Sequence, residues 1–533
     1  MNATTLLLTA PVAVPLLVAA AHTRVPVRVA PPAAVPASAP TPTPTPVDGP
    51  VLVAEAPGPD EGARRSPWGW SWLLSPLAIL ACGGVLAARV GGGGSVSWAS
   101  GVLRADALSV WLLLVVGAVA LVALGATPGY LAGERAAGRA TAAAVRRYHA
   151  LVHAFLAAMC VAVLSANLGV LWVAVEATTL VTAFLVGHRR TRASVEAAWK
   201  YVVICSAGIA LAFLGTVLIY YAARQAGIGE SAALDWPTLA AHAHRLDPDV
   251  TRLGITLTVL GFGAKAGLVP LHSWLPDAHS QAPAPVSALM SGVLLSVAFG
   301  AVLRYRVIAD AALGPGFTRV LLFGAALLTL AFAAALLLAQ RDYKRMLAYS
   351  SMEHMSLVAL GAAIGGPAAL SAALLHIAGH GLAKSVAFCA SGRILQATGT
   401  TRIGRVRGLL NRVPAPAGML GLAVLALLAF PPFGPFASEL GLFRAGFTHG
   451  TGPALATCAA LALVLVAFAA LAVRSARMLL GPPPAAPPAA PSAGAEVSAL
   501  WPLALGLAGC AALGIATGPL TALLRSAAQV AGG

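Results

Sequence analysis

The composition of this 533-residue chain is that of a protein that spans a lipid bilayer. Its 34 basic and 18 acidic residues make up 10% of the sequence, whereas 59% of the residues are hydrophobic. Soluble domains carry about 25% charged residues, because charge covers the surface that meets water. The composition therefore excludes an ordinary soluble enzyme. The net charge of +16 requires no nucleic acid, since arginine in cytoplasmic loops gives membrane proteins the same excess.

Apolar runs of the length that crosses a bilayer as a helix, about 20 residues, recur along the chain. We predict an all-α integral membrane protein of about fourteen transmembrane helices. The predicted spans lie near 4–21, 68–90, 106–127, 150–166, 168–187, 200–222, 252–274, 284–304, 317–339, 345–365, 367–391, 414–443, 452–473 and 498–524. Two segments rich in Pro and Ala, 31–50 and 481–494, are expected to be linkers.

Basic residues favour one side of this arrangement. They concentrate in the loops that follow odd-numbered spans, as in Arg189, Arg190 and Arg192 after span 5. By the positive-inside rule these loops are cytoplasmic, which predicts a multi-pass protein of the cell membrane with both termini on the outer face. Residues 1–21 also resemble a signal peptide, but they lack a basic start. We expect a retained first helix, because its removal would invert every later loop.

The cysteines give no sign of a bound metal or cofactor. The six residues lie singly in apolar stretches, without CxxC or Cys/His spacing. We expect them to be buried and inert, and we expect no cofactor and no metal site in this chain. They are Cys82, Cys160, Cys205, Cys389, Cys458 and Cys510.

Four charged residues fall inside the apolar spans. Only four lysines occur in the chain, and two of them, Lys265 and Lys384, lie within predicted spans, as do Glu176 and Glu439. A charge at the bilayer centre costs at least about 2.5–3.5 kcal/mol on insertion scales. Such residues therefore indicate paired charges, a polar interior, or both. They could be structural ion pairs, but a chain of them better suits the movement of protons or ions.

Histidines strengthen the second interpretation. His376, His380 and Lys384 are spaced four residues apart, so they cover about 12 Å of one helix face. Because imidazole titrates near neutral pH, this spacing predicts a proton relay. His272 and His279, and Glu353 and His354, are secondary candidates for the path.

Prolines predict helix breaks beside two of the intramembrane charges. Unwound backbone at membrane depth is tolerated only against protein or a water-filled cavity. One break in each half of the chain points to an internal repeat with a site at each break. The prolines are Pro270 and Pro276 after Lys265, and Pro431, Pro432 and Pro435 before Glu439.

Two further polar groups have simpler interpretations. Asp106 stands where a helix begins and is expected to cap it. Glu196 and Lys200, four residues apart, are expected to pair at the membrane interface.

Four motifs carry a resemblance to a known family. In chain order they are GFGAKAGLVPLHSWLPDAHSQAPAPVSALMSGVLL, RDYKRMLAYSSMEHMS, LLHIAGHGLAKSVAF and FPPFGPFASE. Together they resemble the antiporter-like, proton-conducting subunits of respiratory complex I, of group-four membrane-bound hydrogenases and of Mrp-type cation/proton antiporters. The SSMEHM segment, with Glu353, looks most like the hydrogenase-4 F-type subunit.

The resemblance implies an organisation and a set of roles. It implies two inverted five-helix repeats, spans 4–8 and 9–13, in which spans 7 and 12 are broken. Glu176 and Lys265 match a charge pair that tunes the protonation of the lysine, His376, His380 and Lys384 match a central relay, and Glu439 matches the terminal charge. The resulting units are 1–105 (spans 1 and 2 with a linker), 106–148 (span 3 and a loop), 149–308, 317–478, and 479–533 (a linker and span 14).

One position departs from the family pattern. Many complex I members have a lysine on span 8 where this chain has Ser296. The link between Lys265 and the central histidines then falls to water, His279 or Glu353.

These features predict a proton-translocating subunit of a hydrogenase-4-like or complex I-like complex, without a redox centre of its own. Its partners would be other membrane and peripheral subunits, the lipid bilayer and protons, with Na⁺ as a second ion, and no nucleic acid. The alternatives are an Mrp-type cation/proton antiporter subunit, an ion-coupled inorganic-carbon transporter subunit, and a structural membrane scaffold.

Overall fold

The computed structural model describes residues 3–24, 71–99, 101–482 and 500–533, and in these ranges the chain is almost entirely helical. The predicted linker 31–50 and nearly all of the linker 481–494 lie outside the described residues.

Six long helices form the first part of the chain. Polar residues cap four of them: the Asp106 carboxylate accepts from the Ser109 amide, as predicted, and Thr141, Asn167 and Thr191 cap the next three. The helices are α1 Ala3–Arg24, α2 Ser71–Val90, α3 Ala107–Ala136, α4 Ala142–Leu164, α5 Leu168–Val186 and α6 Arg192–Gln225.

A short hairpin between α2 and α3 is the one departure from the predicted all-α fold among the described residues. Strands β1 Val96–Trp98 and β2 Leu103–Ala105 pair antiparallel. Alternating valine and tryptophan suit a short strand, but three residues are too few to predict one.

The middle of the chain contains the first helix break. Predicted span 7 is interrupted after Lys265. Side chains satisfy backbone groups at the break: the Val269 amide donates to Thr329 Oγ1 (3.0 Å), and the Ala264 carbonyl accepts from Trp274 Nε1 (3.0 Å). The helices here are α7 Trp236–Ala241, α8 Pro248–Lys265, α9 Trp274–Gln281, α10 Ala284–Leu289 and α11 Leu295–Leu313, with a π-helical turn at Met290–Leu294 between the last two.

The second half repeats this pattern of long helices around one break. Predicted span 12 is interrupted between Leu427 and Gly434, where the predicted break prolines Pro431 and Pro432 lie. The helices are α12 Pro315–Ala339, α13 Tyr343–Ile364, α14 Gly366–Thr398, α15 Leu409–Arg412, α16 Pro414–Leu427, α17 Gly434–Thr448 and α18 Thr451–Leu480.

The last predicted span, 498–524, coincides with two helices. The structure has two helices there, α19 Trp501–Ile515 and α20 Gly518–Val530, and they are bent by 81°. The Gly518–Pro519 pair explains the break, because proline lacks the backbone donor that would continue α19.

The number of spans is matched only in part. Within the described ranges, ten helices are long and apolar enough to cross a membrane, or eleven if the bent pair counts as one. The predicted spans that fall short are 252–274, 345–365 and 414–443, which contain the two breaks and the polar helix α13. The chain is thus a multi-pass helical membrane protein, and fourteen spans stay a prediction.

The core lies around α14 and the helix stretch from Ala284 to Leu313. The most apolar segments of both are entirely buried, whereas most residues of the corresponding segments of α12 and α18 are not buried. We infer that α12 and α18 face lipid and that α14 forms the centre of the protein.

Helices α6 and α8 pack with their backbones in contact. A Cβ atom at Gly215 would lie 2.5 Å from the Gly254 carbonyl oxygen, and one at Gly261 would lie 2.4 Å from that of Gly208. Small residues allow such close packing of membrane helices. The contact brings the first turns of α6 beside Lys265 at the end of α8.

Two of the six cysteines depart from the prediction. Cys160, Cys205, Cys389 and Cys510 are buried, but Cys82 is half-buried and Cys458 is exposed on α18. The error at Cys458 has a simple cause, because a lipid-facing helix exposes apolar side chains as readily as a core buries them.

Candidate functional site

Lys265 is the last residue of α8 and is fully buried. Its Nζ donates to Thr179 Oγ1 on α5 (2.8 Å) and to the Tyr201 hydroxyl on α6. The Tyr201 hydroxyl also bonds to Thr182 Oγ1 at 2.5 Å, and the Lys265 ammonium lies 4.6 Å from the centre of the Tyr201 ring. The lysine is therefore held by hydroxyls from two neighbouring helices.

Glu176 lies on α5, one turn before Thr179, and is half-buried. Its Oε1 accepts from Ser206 Oγ of α6 at 2.9 Å, and its buried Oε2 has no hydrogen-bond partner among the described residues. The ion pairs of the described chain do not include Glu176 with Lys265. Thr179 and Tyr201 accept the hydrogen bonds of the Lys265 ammonium instead, and the tuning of Lys265 by Glu176 stays a prediction.

Lys344 is a third buried lysine, which sequence inspection left in the basic loop after span 9. It is 1% exposed, and its Nζ donates to the carbonyls of Ser280 (2.8 Å) and Ala282 (2.9 Å). These residues follow His279 at the end of α9, so Lys344 ties α13 to the first broken span.

His279 is buried between the two halves of the molecule, whereas His272 is partly exposed. The His279 ring lies 5.8 Å from Phe388 of α14, and its Nε2 has no partner among the described residues. His272 instead lies 3.3 Å from the Pro270 carbonyl and 5.6 Å from the Phe332 ring. The two histidines thus have different neighbours.

Hydroxyl groups join the two halves of the molecule near α13. Ser291, in the π-helical turn, bonds to Ser351 of α13 through their Oγ atoms at 2.6 Å. Two other groups of α13 bind Lys384 of α14. Lys384 Nζ donates to the Leu347 carbonyl (2.7 Å) and to the Ser350 hydroxyl. Ser296, at the position that differs from the family pattern, lies 3.9 Å from the Met355 sulfur.

The central histidines form one connected cluster. His354 Nδ1 and His376 Nε2 are 3.0 Å apart, and His376 Nδ1 lies 2.9 Å from Ser438 Oγ on α17. The rings of His376 and His380 are nearly parallel, at 3° and 6.4 Å, and the His380 ring lies 4.9 Å from that of His354. The spacing of four residues thus places both α14 histidines on one face, as predicted.

Two glycines bring other elements against the central histidine of α14. A Cβ atom at Gly379 would lie 2.8 Å from Pro435 Cδ at the second break, and one at Gly381 would lie 2.6 Å from the Gly292 carbonyl in the π-helical turn. Since any side chain here would collide, the Gly-His-Gly sequence allows both elements to contact α14 on either side of His380.

Glu439 lies on α17 beside this cluster and is buried. One ligand atom from each of His354, His376 and Glu439 lies within 4.8 Å of the other two. Two imidazoles and a carboxylate suit a divalent transition metal. In the structure, however, the two imidazoles are hydrogen-bonded to each other, and this fits proton exchange without rearrangement.

Charged groups near the start of α13 form a partly exposed network. Asp277 of α9 binds Arg345 (2.7 Å) and Lys200 (3.4 Å), and Lys200 also binds Glu196 at 2.7 Å. The predicted pair of Glu196 and Lys200 is confirmed.

Comparison with known proteins identifies the family of the chain. The family described as "NADH:quinone oxidoreductase/Mrp antiporter, TM" matches residues 165–467. The chain belongs to this family. The family predicted from the four motifs is thereby confirmed.

Named relatives of the NADH:quinone oxidoreductase/Mrp antiporter family match most of the chain. The "Hydrogenase-4 component F homolog" of Methylacidiphilum infernorum is 39% identical over 382 residues, which is 71% of this chain and 79% of that protein. The "NADH-quinone oxidoreductase subunit N" of Desulforudis audaxviator is 32% identical over 388 residues, 70% of this chain and 75% of that protein.

Solved structures of the family share the fold. One chain of the Mrp complex from Dietzia sp. DQ12-45-1b aligns with a TM-score of 0.77 at 22% identity, covering 99% of this chain and 97% of that chain. At this identity the likeness concerns the fold alone.

Sequence inspection missed several residues of the site in this family member. Tyr201, Ser206 and Ser438 are common polar residues, and Lys344 lies in a loop-like context. Only the packing of α6, α13 and α17 brings them to the charges. The signal available for Lys344 was its rarity, since it is one of only four lysines.

Proposed function

We propose that the chain is the proton-translocating membrane subunit of a hydrogenase-4-like or complex I-like oxidoreductase complex. Electron transfer in partner subunits would drive protons through it, and the chain itself would hold no redox cofactor. The observation that carries this proposal is the series of buried titratable side chains from Lys265 to Glu439 in a member of this family. The two named relatives support the type of complex.

The first part of the path is Lys265 with its hydroxyl partners. An ammonium bonded to Thr179 and Tyr201 can release a proton to a neighbour and be reprotonated. Glu176, held by Ser206 on the same two helices, supplies a nearby negative charge. In a low dielectric, a change in the charge of one residue alters the free energy of ionising the other. The two residues therefore act as a coupled switch without a direct hydrogen bond.

In the middle of the path, hydroxyl groups and an imidazole take the place of the lysine that many complex I members have on span 8. The Ser291–Ser351 hydroxyl pair joins the π-helical turn to α13, where Ser350 binds Lys384. His279, with one free ring nitrogen among the described contacts, lies on the Lys265 side of this junction. Hydroxyls and imidazole both donate and accept, so protons can cross here without a third charge.

The last part of the path is the histidine cluster. His354 and His376 share a hydrogen bond, and His380 lies between them and Lys384 on α14. A neutral imidazole can accept at one nitrogen and donate at the other. We propose that protons pass from Lys384 through these rings and leave at Glu439.

The architecture that this path requires is part of the proposal. It comprises fourteen spans with inverted repeats at 149–308 and 317–478, both termini on the outer face of the cell membrane, and other membrane and peripheral subunits as partners. The two helix breaks, each beside one end of the path, support the repeats.

Proton pumping by the purified complex tests the function. We expect Lys265→Ala and Glu176→Gln each to lower the protons moved per electron, because each removes one member of the coupled switch. Lys200→Ala is the matched control, since Lys200 is a half-exposed lysine outside the path. Unchanged pumping per electron in both path variants, with the complex assembled, would refute the assignment.

An Mrp-type cation/proton antiporter is the second candidate. The fold shared with one chain of an Mrp complex supports it. Sodium-dependent proton flux through the chain in the absence of redox partners would support this candidate. Pumping that requires electron transfer and is indifferent to sodium would exclude it.

A further inference from the structure

A basic cleft lies outside the proton path, at the end of the molecule where α12, α13 and α18 meet. It has a volume of about 920 Å³ and is lined by six arginines from three separate segments. This volume is that of a site for a small molecule or a lipid headgroup. The arginines are Arg341, Arg402, Arg405, Arg407, Arg474 and Arg477.

The six arginines of the cleft far outnumber its acidic residues among the described residues. Asp342 is its only acidic lining residue, and that carboxylate already accepts from the amides of Lys344 (2.9 Å) and Arg345 (3.0 Å) and from the Thr401 hydroxyl. None of the six arginines belongs to an ion pair of the described chain. Six like charges around one cleft repel one another until an anion binds between them.

The cleft opens beside surface that faces the hydrocarbon of the bilayer. Val473 lines it and is 49% exposed, and Leu338 on α12 and Leu480 on α18 are 54% and 73% exposed. In a membrane protein, exposed apolar side chains of this kind contact acyl chains. A ligand that fills the cleft therefore meets arginine side chains and, beside them, exposed apolar side chains of α12 and α18.

We propose that this cleft binds the phosphate-bearing headgroup of an anionic phospholipid, whose acyl chains lie along α12 and α18. Arginine forms paired hydrogen bonds with phosphate oxygens, and basic pockets at the ends of membrane helices suit such headgroups. An acidic segment of a partner protein would satisfy the charges but not the adjoining apolar surface, so a lipid fits both halves of the site.

The test measures lipid binding to the purified full-length chain in detergent. Native mass spectrometry would count the lipid molecules retained from mixtures of cardiolipin or phosphatidylglycerol with phosphatidylcholine. The test variant is the double change Arg402→Gln and Arg405→Gln. The matched control is Arg190→Gln with Arg192→Gln, which removes two exposed arginines at the start of α6, away from the cleft.

We expect the cleft variant to lose affinity for both anionic lipids by about tenfold or more, since each basic residue near a membrane surface contributes measurably to binding. The control variant should stay within about twofold of the unchanged chain, and phosphatidylcholine should not bind at the cleft. If the cleft variant does not fold, Arg402→Lys with Arg405→Lys keeps the charge, and we expect it to retain lipid more weakly than arginine does.

Three results would overturn the proposal. Equal loss of lipid in the cleft and control variants would mean a diffuse surface effect. Displacement of the lipid by millimolar inorganic phosphate would indicate a site for a soluble anion. Loss of a peripheral subunit from the purified complex of the cleft variant, with lipid binding unchanged, would indicate a protein partner instead.

Discussion

At the scale of single residues, the ammonium of Lys265 is bound by hydroxyls, and no carboxylate of the described residues forms an ion pair with it. The hydroxyls of Thr179 and Tyr201 accept hydrogen bonds from this ammonium, and the Tyr201 hydroxyl also bonds to Thr182. A hydrogen bond to a charged group contributes about 1.5–3 kcal/mol. The protonation of this lysine therefore depends on Tyr201, a residue that sequence inspection did not single out.

Replacing Tyr201 by phenylalanine tests this dependence. We expect Tyr201→Phe to lower proton flux about tenfold, because the buried ammonium loses one acceptor. Tyr305→Phe is a close control: Tyr305 is also fully buried and bonds a threonine, Thr216, at 2.6 Å, but among the described contacts its hydroxyl does not bond Lys265. Equal flux in the two variants, measured in proteoliposomes, would show that the Tyr201 hydroxyl has no part in the path.

Lys344 gives a second prediction at this scale. Lys344→Met should destabilise the protein by about 1–3 kcal/mol, because the carbonyls of Ser280 and Ala282 lose their buried donor. Lys200→Met should change the free energy of unfolding by at most about 1 kcal/mol, as removal of an exposed ion pair does. Thermal unfolding of the two variants in detergent measures the difference, and equal effects would contradict the buried role of Lys344.

At the scale of elements, α14 holds the two halves together. Its Gly379 contacts the second helix break and its Gly381 contacts the π-helical turn, on either side of His380. The periodicity of His376, His380 and Lys384 was predictable from the sequence, because it belongs to one helix. The partners of that helix were not, because they depend on tertiary contacts between segments far apart in the chain.

The contact at Gly381 can be tested by adding one methyl group. Gly381→Ala should destabilise the protein by about 1–3 kcal/mol, because the new Cβ would lie 2.6 Å from the Gly292 carbonyl oxygen. Gly418→Ala on α16 is the control: its Cβ would meet open space, and alanine favours a helix over glycine by about 1 kcal/mol. If Gly381→Ala proved as stable as Gly418→Ala in a chemical unfolding series, the close packing of α14 on the π-helical turn would be wrong.

At the scale of the whole molecule, the sequence was most informative where physics demands an exceptional residue. A charge or a proline inside an apolar span is costly, so Glu176, Lys265, Lys384 and Glu439 and the two breaks could be found by their rarity. Serines, threonines and tyrosines carry no such signal. The hydroxyl partners at Ser291, Tyr201 and Ser438 emerge only from the folded chain.

The number of protons moved per electron by the complex with Lys384→Met tests the central claim most directly. Lys384 lies between the hydroxyl junction and the histidine cluster, so every proton on the proposed path must pass it. We predict that Lys384→Met lowers this number while electron transfer measured with an uncoupler persists, and that Lys200→Met leaves it unchanged. Equal proton-to-electron ratios in the two variants would contradict a path through α14.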